Sequence, residues 1–586
     1  MKNILEEYCL PDYMKGLLLM SMPTGFGKTH NVMDFIFENY PTLESQGRKI
    51  IFITNLKKNL PTEDLKKRFV AAGLEKNFDE KVLFIDSNID TVIENLPQIS
   101  GEIPERFKTD SYKQLQGHIE ALSTKGLPNN VRTTLKSELR KYAEPAFRKF
   151  ITDHLMGEFR SKKDRINAIK GNKKYRWIAK LYPSVFTDEK TVLFMSVDKF
   201  FRKNTTLIEK SYYFTQRLTK DALIFVDEFD ATKDSLLRII IESGIKHRVN
   251  LLDLFLNIHS HLQQSECPEI LLTESEKRAQ LAEEFGWAPL PEIVDNFKEN
   301  AKRIFDKYSL QHTCKSHSDF SSEKRNFLFF DYQFHHVLDA KGKKIELVSD
   351  AENKANWIKA SKKSKGSGGT DIRSLLGEVS GYLKYFQRGI EFLADNYRHL
   401  KEEGNEDGEA FPLEASVRTV LNHFRLDGDD IDFLTNNIME GAYPYGVKTK
   451  EKVPFGQYFY DIGFRYHDIV DNDDHDTLSK IYMYNFAQTP EAMLAGICSQ
   501  AMVVGISATA GLHTNIGNYD LEYLKHSLGE NYHELHKSHI SRLKKDFEAA
   551  TKGYSDINLN VEFLGPADIS SAFDDLASLM QDEEAA

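Results

Sequence analysis

An α/β fold built on a parallel sheet with helices on both faces is predicted by three observations. Short runs that are apolar throughout recur along the chain, each ends at a polar or turn-forming residue, and stretches of helical spacing separate them. The first run, Gly16 to Met22 (GLLLMSM), stops at Pro23, as a buried strand does. After a Gly-rich turn, Val32, Met33, Ile36 and Phe37 recur at the spacing of one helix face. The chain therefore opens with a strand, a loop and a helix. Further strands are predicted at Lys49 to Thr54 (KIIFIT), Lys81 to Asp86 (KVLFID), Thr191 to Ser196 (TVLFMS), Ala222 to Asp227 (ALIFVD) and Ala501 to Ser507 (AMVVGIS). Continuous rather than alternating apolar content is what a strand covered on both faces requires.

At 586 residues the chain exceeds the size at which one core stops growing, so more than one folding unit is expected. Apolar residues make up 41% and charged residues 28%, which excludes a disordered or fibrous chain. The apolar run near the N-terminus is too short to cross a membrane, and Glu6, Glu7 and Asp12 precede it instead of a basic leader. A cytoplasmic protein with no membrane partner is expected. Cys9, Cys267, Cys314 and Cys498 lie far apart with no CxxC pair, which fits reduced thiols. The net charge is -11, yet between Val131 and Lys180 fifteen Lys or Arg stand against five Asp or Glu. That local excess, with Tyr175 and Trp177 among it, suits either a polyanion-binding face or a solvated helical surface.

Two stretches interrupt the sheet pattern, and they divide the chain into expected segments. A first part of the sheet lobe spans 1–100, a basic helical insertion 101–185, and the continued lobe 186–230. A large, mainly helical insertion follows over 231–486 and ends in a hairpin, with strands at Gln457 to Val470 and Leu478 to Phe486. The lobe is completed over 487–515, and 516–586 reads as a linker with the possible start of a second lobe at Asp556 to Leu564.

Met22-Pro23-Thr24-Gly25-Phe26-Gly27-Lys28-Thr29 sits between the first strand and the first turn of a helix. Glycines there let backbone N–H groups close around phosphates, and the helix N-terminus favours negative charge. Lys28 would reach the β- and γ-phosphates, and Thr29 would place its hydroxyl on Mg²⁺. A second acidic site is supplied by Asp227, Glu228 and Asp230 after the strand LIFV. Asp227 would hold the metal, Glu228 would polarise the attacking water, and Asp230 would couple the site to its neighbours. Ser507-Ala508-Thr509-Ala510 follows the last predicted strand, where two small hydroxyls can bond the acidic motif and respond to the γ-phosphate.

This ordered set resembles the superfamily two helicases, which carry PTGxGKT, DExD or DExH, and SAT in that order on the first of two RecA-like lobes. The resemblance implies a RecA-like P-loop parallel sheet, interrupted here by large, mainly helical insertions. It implies ATP and Mg²⁺ as cofactors, with ATP held by Thr24, Gly25, Phe26, Gly27, Lys28 and Thr29. Metal binding falls to Thr29 and Asp227, catalysis to Glu228, Asp227 and Lys28, and coupling to Ser507, Thr509 and Asp230. Thr54, Asn55 and Lys57, with Ser196 and Lys199, fall where the family touches the backbone of DNA or RNA without reading sequence. Short hydroxyl and amide side chains plus Lys at strand ends suit such contacts.

The chain departs from the family pattern in its spacing. Lys28 and Asp227 are 199 positions apart, and Asp227 and Ser507 are 280 apart. Only 76 residues follow Ala510, fewer than the roughly 150 of a second lobe, and no Gln-x-x-Gly-Arg-x-x-Arg sequence occurs among them. A fragment of a longer motor, or one piece of a split motor completed by a protein partner, is the expected arrangement. Two other readings stay open: a nucleotide-gated scaffold without turnover, and a helicase-nuclease of an antiviral defence system using His467, Asp468 and the acidic turn Asp471 to Asp476. His312, Cys314 and His317 form a minor zinc candidate that lacks zinc-finger spacing.

Overall fold

A computed structural model of the chain describes residues 1–11, 14–22, 27–209, 211–246, 248–272, 290–311, 313–316, 326–330, 335–338, 343–362, 369–403, 411–441, 460, 464–471, 479–486, 489–511 and 517–551. The protein is α/β. Its centre is a seven-stranded sheet of β1 (Gly16–Ser21), β2 (Ile50–Thr54), β3 (Val82–Phe84), β4 (Val192–Ser196), β5 (Leu223–Asp227), β6 (Met502–Ser507) and β7 (Tyr532–His533). The spatial order is β7-β1-β6-β5-β2-β4-β3, and every pairing is parallel. The six strands read from apolar runs are the six longest of this sheet. Only the two-residue edge strand β7 was not predicted, because Tyr532 and His533 carry no apolar run.

Burial explains why the runs are apolar throughout. All five residues of β2 and all six of β6 are buried, since helices cover both faces. One cover is α1 (Lys28–Ser45), which buries Val32, Met33 and Ile36 as its spacing predicts, with Phe37 edge-on against Phe69 at 5.0 Å. Another is α2 (Phe229–Lys246), which follows β5 directly. The short α3 (Pro490–Cys498) leads into β6 and is buried along its whole length.

Each insertion has its own hydrophobic cluster. The first, between Ile89 and Ile208, is helical and is centred on Phe107, Phe147 and Trp177. Tyr175 and Trp177, which the basic stretch offered as surface aromatics, are 0% and 1% exposed. They are core side chains, and only the charges around them face solvent.

The second insertion is not only helical. Helices Leu251–Leu262, Leu290–Lys307, Ile372–Glu403 and Leu413–His423 pack with two sheets. A five-stranded antiparallel sheet contains the expected hairpin as Phe464–Asp471 paired with Ser479–Phe486. A four-stranded sheet is built around Lys343–Asp350 and Ala355–Lys362. Its signal in the sequence was weak, a short apolar set of Ile345, Leu347 and Val348 broken by Glu346 and flanked by polar residues, with Ile345, Glu346 and Leu347 all buried. One compact unit spans Met1–Glu534; the second, Leu535–Ala586, contains the helix Lys537–Thr551. Asp556 to Leu564 lies outside the described residues. No described helix is long and apolar enough to cross a membrane.

Candidate nucleotide site

Sheet order assembles the site. Because β6 lies between β1 and β5, the carboxyl ends of three strands from distant parts of the sequence meet at one edge. The Met22 N–H donates to the Ser507 carbonyl at 3.1 Å, which ties the end of β1 to the end of β6. Pro23, Thr24, Gly25 and Phe26 lie outside the described residues. Gly27, at φ 70°, caps α1 in the left-handed region that glycine enters without a Cβ penalty.

The next two residues turn inward from the start of α1. The Lys28 ammonium donates to the Met22 carbonyl at 2.8 Å, and the Thr29 hydroxyl donates to Asp227 Oδ2 at 3.2 Å. Thus the first and second predicted motifs meet directly. A hydroxyl and a carboxylate oxygen side by side are hard oxygen donors of the kind Mg²⁺ takes, with water and phosphate completing its shell. The residues present therefore fit that ion. Burial lowers the Lys28 ammonium from its usual range, against the pull of Asp227 and Asp230. Burial raises the Asp227 carboxyl, opposed by the Glu228 N–H and the Thr29 hydroxyl.

Glu228 is held in an unusual backbone conformation. Its φ is 52°, a region that costs a residue with a Cβ roughly 1–2 kcal/mol. Its side chain is exposed and accepts from Asn59 Nδ2 at 3.2 Å. The turn is braced from behind by Phe229, which is buried against Gly505 in the middle of β6. A Cβ on Gly505 would lie 2.6 Å from the Phe229 ring and 2.7 Å from Leu19. The missing side chain thus lets the acidic motif sit close to the sheet.

The third motif meets the last acid of the second. Ser507 Oγ donates to Asp230 Oδ1 at 2.6 Å, and the Thr509 hydroxyl donates to Asp230 Oδ2. Burial would push the Asp230 carboxyl up, but these two hydroxyls hold it below the usual range. Beyond them lies a network that sequence reading missed. Asn518 Nδ2 donates to the Thr509 carbonyl at 2.8 Å, and Lys233 donates to the Asn518 carbonyl at 2.7 Å. Lys233 also pairs with Glu491 of α3 at 2.8 Å, with side chains 14% and 2% exposed. The only sequence signal was a lysine one helical turn after Asp230.

The five nucleic-acid candidates are placed differently from one another. Thr54 is fully buried with its hydroxyl unpartnered, because β2 is an interior strand whose last residue is still covered. It does not present its hydroxyl to a ligand. Asn55 accepts from Ser235 of α2, which ties it to the helix after the acidic motif. Lys57 is half exposed and paired with Asp86. Ser196 caps a short helix by accepting from the Lys199 N–H at 3.3 Å, and the Lys199 side chain is half-buried. Lys57 is thus the most accessible of the set.

For the metal alternatives, His312, His317 and the turn residues Asp473, Asp474, His475 and Asp476 lie outside the described residues. His467 is fully buried on its strand. Among the described residues, no group of three or more His, Cys, Asp or Glu side chains is placed to hold a metal ion. No family model matches this sequence, and no curated protein matches it either.

Proposed function

We propose that the chain is a Mg²⁺-dependent ATPase lobe of a nucleic-acid motor, RecA-like in its sheet and helicase-like in its motifs. One observation carries this reading: Thr29, Asp227, Asp230, Ser507 and Thr509, from three separate motifs, converge through hydrogen bonds at the ends of three adjacent strands. A core packed for stability alone does not need five polar side chains at one sheet edge.

In this reading Lys28 leaves the Met22 carbonyl to meet phosphate oxygens, whose charge would offset the burial that lowers its proton affinity. Thr29 and Asp227 would hold a magnesium ion, which would supply neutralisation of phosphate charge. Glu228, exposed and fixed by its strained backbone, accepts a proton from water. Asp230, held ionised by Ser507 and Thr509, reports the state of the site to β6.

The test is Mg²⁺-ATP binding and turnover by the full chain, with and without DNA and RNA and with its motor partner if one co-purifies. Binding lost in Lys28→Ala, and turnover lost with binding kept in Glu228→Gln, are the expected results. Absence of nucleotide binding in the wild-type protein would overturn the reading. Binding with no turnover under any condition would replace it with a nucleotide-gated scaffold.

A further inference from the structure

A cleft of about 550 Å³ lies away from the nucleotide motifs, and three parts of the chain wall it. Helix Glu144–Glu158 of the first insertion contributes Arg148, Lys149 and Thr152. The ribbon of Lys203–Asn204 and Tyr212–Tyr213 contributes Lys203, and helix Leu413–His423 of the second insertion contributes Glu414 and Arg418. Each wall therefore brings at least one cation. No aromatic side chain lines the cleft, so it has no platform on which a base would stack.

The carboxylates in the cleft are largely engaged. Glu209 is held by Lys162 and Arg217. Glu414 accepts two bonds from Lys203, at 2.7 and 2.6 Å, and lies 3.6 Å from Arg418. Asp153 is exposed to solvent. Glu414 thus bridges cations of two walls in the way a phosphate group would, since both present paired oxygens to Lys and Arg donors. Two groups await a partner. Lys149 is exposed and makes no hydrogen bond or ion pair with another described residue, and Thr152 Oγ1 is buried with no hydrogen-bond partner. Arg148 itself is held by Glu144 at 2.8 and 3.2 Å, and near it burial first, then the Arg148 charge, push the Lys199 ammonium down to about 8 against the pull of Asp86 and Glu144.

We propose that this cleft grips the phosphodiester backbone of a single nucleic-acid strand, and that Glu414 fills a phosphate position while the strand is absent. The size is that of a small-ligand pocket, which admits a short stretch of one strand and excludes a duplex. Contacts to phosphate without stacking make the grip sequence-independent. The strand displaces Glu414 from Lys203 and Arg418, so binding loosens the bridge between the second insertion and the lobe. This inference rests on the motor reading for the class of its ligand.

The experiment is fluorescence anisotropy of a labelled single-stranded oligonucleotide with the full chain, without ATP, over a series of salt concentrations. Lys149→Gln is expected to weaken binding several-fold and to reduce the slope of log K against log salt by about 0.7, the loss of one phosphate contact. Glu414→Gln, which frees Lys203 while Arg418 keeps Asp432 at 2.7 Å, is expected to tighten binding several-fold and steepen that slope. A merely structural role for either side chain would not move the slope. No strand binding by the wild-type chain, no change in either variant, or displacement of the strand by an equal concentration of free mononucleotide would overturn the proposal. ATP binding by the same proteins is measured separately, so loss of the motor reading and loss of the cleft are told apart.

Discussion

In the central sheet, Gly505 gives up its side chain so that the Phe229 ring can pack, and in the second insertion Gly389 does the same for Phe297. The packing device is one, but the consequences differ. Phe229 follows Glu228 directly, and its ring holds the acidic turn against the strand that carries Ser507. Phe297 packs among Tyr385 and Phe386 in a core of the insertion's own. A packing fault in the sheet therefore reaches the candidate site, whereas one in the insertion is expected to stay a matter of stability. The polar groups follow the same division. The lobe buries a connected chain of them at the strand ends, while several ion pairs of the second insertion, such as Lys307 with Glu378, are partly exposed.

The sharpest way to break the contrast is to cut the buried chain. Lys233→Met leaves Glu491 charged and buried, which should cost about 3–5 kcal/mol. Lys233→Met with Glu491→Leu should recover most of that stability in urea melts, yet leave ATP turnover reduced if the pair conveys the state of Asp230 to α3. Full recovery of turnover would confine the pair to a structural part.

Next in size are the matched glycines. Gly505→Ala and Gly389→Ala should each destabilise by about 1–3 kcal/mol through overpacking. Only Gly505→Ala should also lower turnover measured well below its melting temperature. Equal effects on activity would erase the distinction between the regions.

A smaller effect of opposite sign is expected at the strained residue. Glu228→Gly relieves the left-handed backbone and should stabilise by up to about 1 kcal/mol, net of the extra freedom of glycine in the unfolded chain. Turnover should vanish. A loss of stability would show that the Asn59 bond outweighs the strain.

The smallest shift concerns Asp227. Its carboxyl binds a proton more tightly in the folded state than in the unfolded one, because it is partly buried. Its favourable contribution is thus complete below the unfolded pKa of about 3.9 and is lost as pH rises through the higher folded value. Asp227→Asn should melt above the wild type at pH 7, with the gap closing as pH falls to about 4. Magnesium-dependent nucleotide binding should be lost in the same variant.

The strands of the sheet and the strand-loop-helix opening were legible because a strand covered on both faces must be apolar at every position, and few other elements look like that. The second insertion was harder to read. Its strands are short or mixed in polarity, as Lys343–Asp350 is, and beside long amphipathic helices such as Ile372–Glu403 they read as irregular chain. Thr54 was hard to place for a related reason: residue type shows that a hydroxyl stands at a strand end, but not that the surrounding elements bury it.

What the sequence by itself determined is therefore local. It specified the order of strands and helices along the chain, the acids and hydroxyls at the strand ends, and the basic excess of the first insertion, since each depends on residues close together. Only the tertiary structure decided that β6 enters between β1 and β5, which sets Asp227 against Thr29 and Asp230 against Ser507. The same is true of the Lys233 pair with Glu491 and of the cleft bridged by Glu414. Such contacts join residues hundreds of positions apart, and they exist because the burial of separate apolar strands in one sheet brings those residues together.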